Sequence, residues 1–290
     1  MQKPKAIFLD MDGTMLNNHN RVTENTKKVI DQIRESGIYV FIVTGRGKNE
    51  IFQTAPEGFT VDGVISSNGM TGYIGERKLF EHILPFDVVE AIVKLAQDNQ
   101  IYYELFPTEG SQIVERQDEP TLLAEMEQPM PDTVGINEWR EREEALAGLI
   151  NWVDEVPNGD YSKFYFFSRS PEKMQRWISV LREQKRNLPF SMTSSSLNNV
   201  EVMVKGKNKG TGIQDFIDEL NISADEILAI GDSYNDETMF ELAGHTVAMK
   251  NAPAQIQAMT DEVTAFTNDE EGLYHYLKNL LLDNQSGFML

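Results

Sequence analysis

The sequence predicts an α/β protein: a parallel sheet covered by helices on both faces, with an α+β unit inserted into it. Three observations carry this. Short apolar runs end in polar or acidic residues, amphipathic helical stretches lie between them, and the middle of the chain groups helices with strands able to pair as hairpins.

The first run, Ala6-Ile7-Phe8-Leu9, enters Asp10-Met11-Asp12-Gly13-Thr14 directly. On an extended backbone Asp10 and Asp12 leave the same side of the strand, and Gly13 lets the chain turn away. Two acids held that close repel unless a cation or a shared proton lies between them, and an oxygen-only pair suits Mg²⁺. Thr23 then caps a helix carrying Val29, Ile30 and Ile33, which Gly37 stops. Residues 38–43 form an uninterrupted apolar run ending in Thr44-Gly45-Arg46, and residues 61–65 end in Ser66-Ser67-Asn68-Gly69.

The texture changes after Leu84-Pro85. A helix with Val88, Val89, Ile92 and Val93 is followed by strands at 101–106 and 112–115 and an acidic segment at 115–144. An aromatic strand at 163–167, a helix at 171–184 and strands at 190–193 and 200–204 complete the insertion, whose aromatics read as core because alternate residues of a half-buried strand face inward. The expected organisation is therefore a discontinuous core, 1–83 and 205–290, around an inserted domain, 84–204. In the returning segment Ile213, Phe216, Ile217 and Leu220 make a helical stripe. Residues 227–230 form a buried strand ending in Gly231-Asp232, and Asn235-Asp236 open another helix.

Composition bounds the function. The 290 residues are 40% hydrophobic, ample for real cores, and contain no cysteine, which excludes disulfides, thiolate metal sites and cysteine nucleophiles. A net charge of −20, from 46 acidic against 26 basic residues, argues against a nucleic-acid partner. No run approaches the roughly 20 apolar residues of a membrane span, and the N-terminal residues show no signal-peptide pattern, so a cytoplasmic protein without a membrane partner is expected. The oligomeric state is open, with a monomer favoured. His19, His82, His245 and His275 lack zinc spacing, and residues 206–211 lack the order of a P-loop.

In a parallel sheet the four polar strand ends emerge on one edge, where open α/β folds bind ligands. Asp10, Asp12, Thr44, Asn68, Asp232, Asn235 and Asp236, with Lys209 opening a helix nearby, thus converge on a site. Several have a plainer reading as well: Asp10 and Asp12 as solvated carboxylates at a polar strand end, Thr44 and Asn235 as helix N-caps, and Lys209 as a solvated lysine in a basic run, while Arg46 can equally be the partner of an acid.

The ordered set Asp10-Met11-Asp12-Gly13-Thr14, Thr44-Gly45-Arg46, Lys209-Gly210 and Gly231-Asp232-Ser233-Tyr234-Asn235-Asp236 resembles the four motifs of the haloacid dehalogenase-like (HAD) hydrolase superfamily. Asn68-Gly69, the segment 247–252 through Met249 and Asn251, and the stretch 263–272 are similar to its Cof-type phosphatase subfamily, with Met15 and Met70 as minor departures.

That resemblance implies a Rossmann-like core with a type IIB cap over residues 84–204, the cap closing over the crevice to set specificity. It implies a Mg²⁺-dependent phosphatase acting on small phosphate monoesters, such as sugar phosphates or phosphorylated cofactors. Asp10 is then the nucleophile that forms an aspartyl-phosphate, and Asp12 the acid and later the base. Mg²⁺ is held by Asp10, the Asp12 carbonyl and Asp232, with Asp236 acting through water. The N–H groups of Met11 and Gly45, the Thr44 hydroxyl, Lys209 and Asn235 receive the phosphate oxygens. Arg46 and Asn68 are candidates for contacting the substrate or the cap. A phosphosugar mutase or a specialised sugar-phosphate phosphatase on the same scaffold is the nearer alternative, and a non-catalytic metal-dependent binding or regulatory protein the farther one.

Overall fold

The computed structural model describes residues 3–286, in two units. One comprises the chain up to Glu81 together with the part from Asn208 onward; the other is His82–Lys207. In chain order the strands are β1 (Ala6–Leu9), β2 (Tyr39–Val43), β3 (Gly63–Ser66), β4 (Thr71–Ile74) and β5 (Arg77–Glu81) before the insertion. Within it lie β6 (Tyr102–Pro107), β7 (Ile113–Glu115), β8 (Asn151–Val153), β9 (Tyr161–Phe167), β10 (Phe190–Thr193) and β11 (Asn199–Val204). The chain then returns with β12 (Ile227–Gly231), β13 (His245–Ala248) and β14 (Glu262–Val263).

The first unit holds an eight-stranded sheet in the order β14-β13-β12-β1-β2-β3-β4-β5. Its first six strands run parallel, and β1 lies between β12 and β2 with every residue buried. The two faces divide by strand period. Ile7, Leu9, Ile42 and Ile230 pack with Val29, Ile30 and Ile33 of the helix Glu24–Glu35, while Phe8, Phe41 and Ala229 pack with Ile213 and Phe216 of the helix Lys209–Leu220. Burial on both faces is why these runs are continuous rather than alternating.

The parallel expectation needs one correction, since β4 and β5 form an antiparallel hairpin on one side of the sheet. Only Gly75 and Glu76 separate them, and Gly75 has φ +55°, the glycine-first two-residue turn that matches strand twist. Because β5 belongs to this sheet as far as Glu81, the unit boundary falls slightly earlier than the sequence suggests.

The inserted unit carries a six-stranded sheet, β10-β11-β9-β6-β7-β8, antiparallel except where β8 runs alongside β7. All seven residues of β9 are buried, so the expectation of one inward face is exceeded. On one side Phe166 meets Trp177 at 5.0 Å between ring centroids. On the other, Phe167 meets Trp139, Lys163 pairs with Glu201, and the Arg142 guanidinium lies 4.1 Å from the Tyr165 ring centroid while pairing with Glu104. Trp139 and Arg142 come from the helix Ile136–Glu144, within the acidic segment that the sequence left without elements. Among the described residues no helix is long and apolar enough to cross a membrane.

Phe216 is the keystone of one face of the first sheet. Its ring meets Phe41 edge-on at 5.2 Å and Phe80 at 6.1 Å, and a side chain on Gly72 would collide with both Phe80 and Phe216. Phe216→Ala should therefore cost about 3–5 kcal/mol and lower the melting temperature of this unit by roughly 10 °C. A loss below about 1 kcal/mol in thermal denaturation would contradict this packing role.

Candidate active site

The register of β1 builds the site. Leu9 pairs with Ile42 on one side and Ile230 on the other, so Asp10 and Met11 emerge beside the ends that carry Thr44 and Asp232. The strand stops at Leu9, and the Met11 carbonyl accepts the N–H groups of Thr14, Met15 and Leu16 in a tight turn. The extended alternation expected for Asp10 and Asp12 is therefore broken, and the two acids part. Asp10 is buried, whereas the Asp12 side chain is 48% exposed. Each has a cation of its own rather than one shared between them.

For Asp10 that cation is Lys209, whose Nζ donates to Asp10 Oδ1 at 2.6 Å and to Asp236 Oδ1 at 2.7 Å. Lys209 and Asp236 are fully buried, which overturns the reading of Lys209 as a solvated lysine. The helix start that delivers Lys209 is capped by Asn208, whose side chain accepts from Thr211 N–H at 2.9 Å. Burial pushes the Asp10 carboxyl up to about 7, against the lowering pull of Lys209 and with the help of the Asp236 and Asp12 charges. Asp232 is also pushed well above the usual carboxylate range, first by burial and then by its Asp10 and Asp236 neighbours. Lys209, flanked by both carboxylates, is held above its ordinary value despite burial.

One oxygen of each of Asp10, Asp232 and Asp236 lies within 4.8 Å of the others. Three carboxylates against one ammonium leave an excess of negative charge in an all-oxygen donor set, which fits a hard divalent cation. Asp236 has little left to offer such an ion directly. Its Oδ1 takes Lys209, and its Oδ2 accepts the N–H groups of Asp232 at 2.9 Å and Ser233 at 3.0 Å.

Asp232 faces the turn after β1. Thr14 Oγ1 donates to its Oδ1 at 3.2 Å. Gly13 has φ +78°, and a Cβ there would run into the Asp232 carboxylate, so this turn requires glycine on both counts. Sequence reasoning gave no role to Asn251, whose Nδ2 donates to the Gly13 carbonyl at 2.8 Å and lies 3.4 Å from Asp232 Oδ2. The signals for it were its place in the segment 247–252 that carries the subfamily resemblance and its position just after β13, which ends on the same sheet edge.

Thr44 is buried, and its hydroxyl accepts the Arg46 N–H at 3.1 Å, so it is not the cap of the next helix, which starts at Lys48 after Gly47. Gly45 follows it in a bend. Asn68, with φ +56°, donates its N–H to the Thr44 carbonyl at 2.9 Å and accepts from Asn235 Nδ2 at 3.3 Å. The helix Glu237–Leu242 is preceded by Asp236, so Asn235 is not its N-cap. Arg46 reaches Asp12 in a forked pair, Nε to Oδ2 at 2.8 Å and Nη2 to Oδ1 at 2.5 Å, and also donates to Asn20 Oδ1 at 2.8 Å. The candidate contact to substrate or cap is thus engaged by the second acid of the motif.

Comparison with known proteins identifies the family of the chain. Residues 7–277 match the family described as haloacid dehalogenase-like hydrolase. The chain is similar to phosphatase YwpJ of Bacillus subtilis, with 30% identity over 96% of this chain and 100% of that protein. It is also similar to the B. subtilis 5-amino-6-(5-phospho-D-ribitylamino)uracil phosphatase YwtE, with 26% identity over 96% and 98% of the two chains. Among solved structures, the HAD subclass IIB sugar phosphatase BT4131 shares the fold, with a TM-score of 0.73, 22% identity, and coverage of 95% of this chain and 98% of that one. With the family match spanning nearly the whole chain and the ordered strand-end residues gathered on one edge, the chain belongs to the haloacid dehalogenase-like hydrolases, on their Cof-type phosphatase branch.

Proposed function

We propose that this enzyme is a cytoplasmic, Mg²⁺-dependent phosphatase that hydrolyses small phosphate monoesters, sugar phosphates or phosphorylated cofactors, through an aspartyl-phosphate on Asp10. One observation carries the reading: a buried carboxylate held by an ammonium, Asp10, lies two residues from an exposed one, Asp12. A nucleophile needs the first environment and a proton carrier the second.

In the first step an Asp10 oxygen forms a bond to phosphorus while the bond to the ester oxygen breaks, and Asp12 gives that oxygen a proton. In the second, water attacks the phosphorus, Asp12 takes its proton, the bond to Asp10 breaks and inorganic phosphate leaves. Asp10, Asp232 and the Asp12 carbonyl would hold the Mg²⁺, which supplies charge neutralisation between the carboxylates and the phosphate. Asp236 holds Lys209 and the loop after β12 rather than the ion itself. Lys209, the Thr44 hydroxyl, Asn235 and the N–H groups of Met11 and Gly45 are the donors assigned to the phosphoryl oxygens, whose charge redistributes during transfer. Arg46 orients Asp12 through the fork, and Asn68 steadies Asn235. The insertion, residues 82–207, is assigned the role of a type IIB cap.

The test is phosphate release from a panel of phosphate esters headed by 5-amino-6-(5-phospho-D-ribitylamino)uracil, sugar phosphates and phosphorylated cofactors, with Mg²⁺ or EDTA. Release should require the metal, and Asp10→Asn should lower it by at least roughly a thousandfold. Release that survives either change would refute the mechanism. Arg46→Ala should lower kcat about a hundredfold for alkyl phosphates and distinctly less for p-nitrophenyl phosphate, whose leaving group needs no proton. Equal losses on both would mean that Arg46 serves the phosphoryl group instead.

Stability should also report the carboxylate cluster. From the ordinary carboxylate value of 3.8 up to about 7, folded Asp10 retains a proton that the unfolded chain has released. Its stabilising contribution is therefore complete at acid pH and lost as pH rises through about 7. In EDTA the melting temperature should fall between pH 5 and pH 8, Mg²⁺ should restore it most at the alkaline end, and Asp10→Asn should flatten the curve. A melting temperature that rises over this range in EDTA would show that the cluster is not strained.

A further inference from the structure

Asn251 lies on the same sheet edge as Asp232. β13 ends at Ala248, and the Met249 N–H donates to the Gly231 carbonyl at 2.9 Å, which brings the following turn beside the residue that precedes Asp232. The Asn251 side chain then divides its chemistry. Its Nδ2 donates to the Gly13 carbonyl at 2.8 Å and lies 3.4 Å from Asp232 Oδ2, while its Oδ1 accepts the Asn268 N–H at 2.9 Å.

Two features separate this from ordinary loop anchoring. The turn after β1 is already tied to the 268–269 segment without Asn251, since Asn268 Nδ2 donates to the Leu16 carbonyl at 2.8 Å and Asn18 N–H donates to Asp269 Oδ1 at 3.0 Å. The reach toward Asp232 is surplus to that tether. Moreover, among the described residues the side chains that hydrogen-bond to the Asp232 carboxylate are neutral, Thr14 at Oδ1 and Asn251 at Oδ2. Neutral donors fix rotation about the soft terminal torsion of a carboxylate without cancelling the charge a cation would use. A lysine or arginine at the same place would compete with the cation.

We propose that Asn251 is a positioning residue for the cation site, its amide orienting Asp232 and the Gly13 peptide so that metal affinity depends on a contact reaching from residue 268. The proposal rests on the divalent-cation reading of Asp232 given above. It deepens that reading by assigning a role to a residue that touches neither substrate nor, directly, the ion.

The experiment is Mg²⁺ binding by isothermal titration calorimetry to full-length, EDTA-stripped protein without substrate. Asn251→Ala should bind Mg²⁺ about tenfold more weakly, with kcat recovering when Mg²⁺ is raised to saturation. Lys250→Ala, a neighbouring change whose side chain pairs with Glu270, should bind as wild type does. Asn251→Ser, too short to hold both acceptors, should behave like the alanine variant and provides the reading if that variant does not fold. Unchanged Mg²⁺ affinity in the Asn251 variants, or an equal loss in Lys250→Ala, would overturn the proposal. No Mg²⁺ binding by the wild type would instead overturn the cation reading on which it stands.

Discussion

The Lys209 ammonium, buried between Asp10 and Asp236, is the constraint on which the rest of the first unit depends. A charge out of water is tolerated only when paired and hydrogen-bonded, and removing one partner from such a group costs about 3–5 kcal/mol. To bring this one cation to its partners, the helix must begin at Lys209 and nowhere else, which the Asn208 cap enforces. Asp236 in turn spends its second oxygen on the Asp232 and Ser233 N–H groups, so the loop that presents Asp232 takes its shape from the same contact. Three stretches far apart in sequence are registered against one another by a single ammonium.

That registration is electrostatically incomplete. Arg46 balances Asp12, and Lys209 balances one charge among the other acids, but the hydrogen bonds described to the Asp232 carboxylate come from neutral donors. A fold optimised for stability alone would fill such a position with an apolar side chain or a second cation. The imbalance is instead the property that suits the edge to a cation and a phosphate ester, and it is afforded by a scaffold whose central strands are buried on both faces.

Much of this was legible in the sequence because strand ends are. The runs before Asp10, Thr44, Asn68 and Asp232 announce buried strands, and a parallel sheet leaves them only one edge on which to finish. What could not be read were contacts set by turns rather than by period. The strand ends at Leu9, and the turn on the Met11 carbonyl sends Asp12 to Arg46, which no alternation rule contains. Asn251 was likewise hidden, because its value lies in reaching across from β13 to the turn after β1. The β4–β5 hairpin was missed because Gly75-Glu76 was not recognised as a turn, and the helix Ile136–Glu144 because its acidic sequence masks the buried Trp139 and Arg142. The motif order singles out Lys209, but its burial between Asp10 and Asp236 follows from tertiary packing alone.

The position of β1 also bears on how the chain is made. Its two hydrogen-bonding neighbours are β2, roughly thirty residues on, and β12, more than two hundred residues on, with the whole of 82–207 between them. A ribosome therefore releases one flank of this fully apolar strand long before the other exists, and the inserted unit can complete its own sheet in the interval. Until β12 emerges, β1 is a bare edge of the kind that recruits foreign strands. The same insertion that divides the sequence of the hydrolase unit thus fixes a period of vulnerability in its biogenesis.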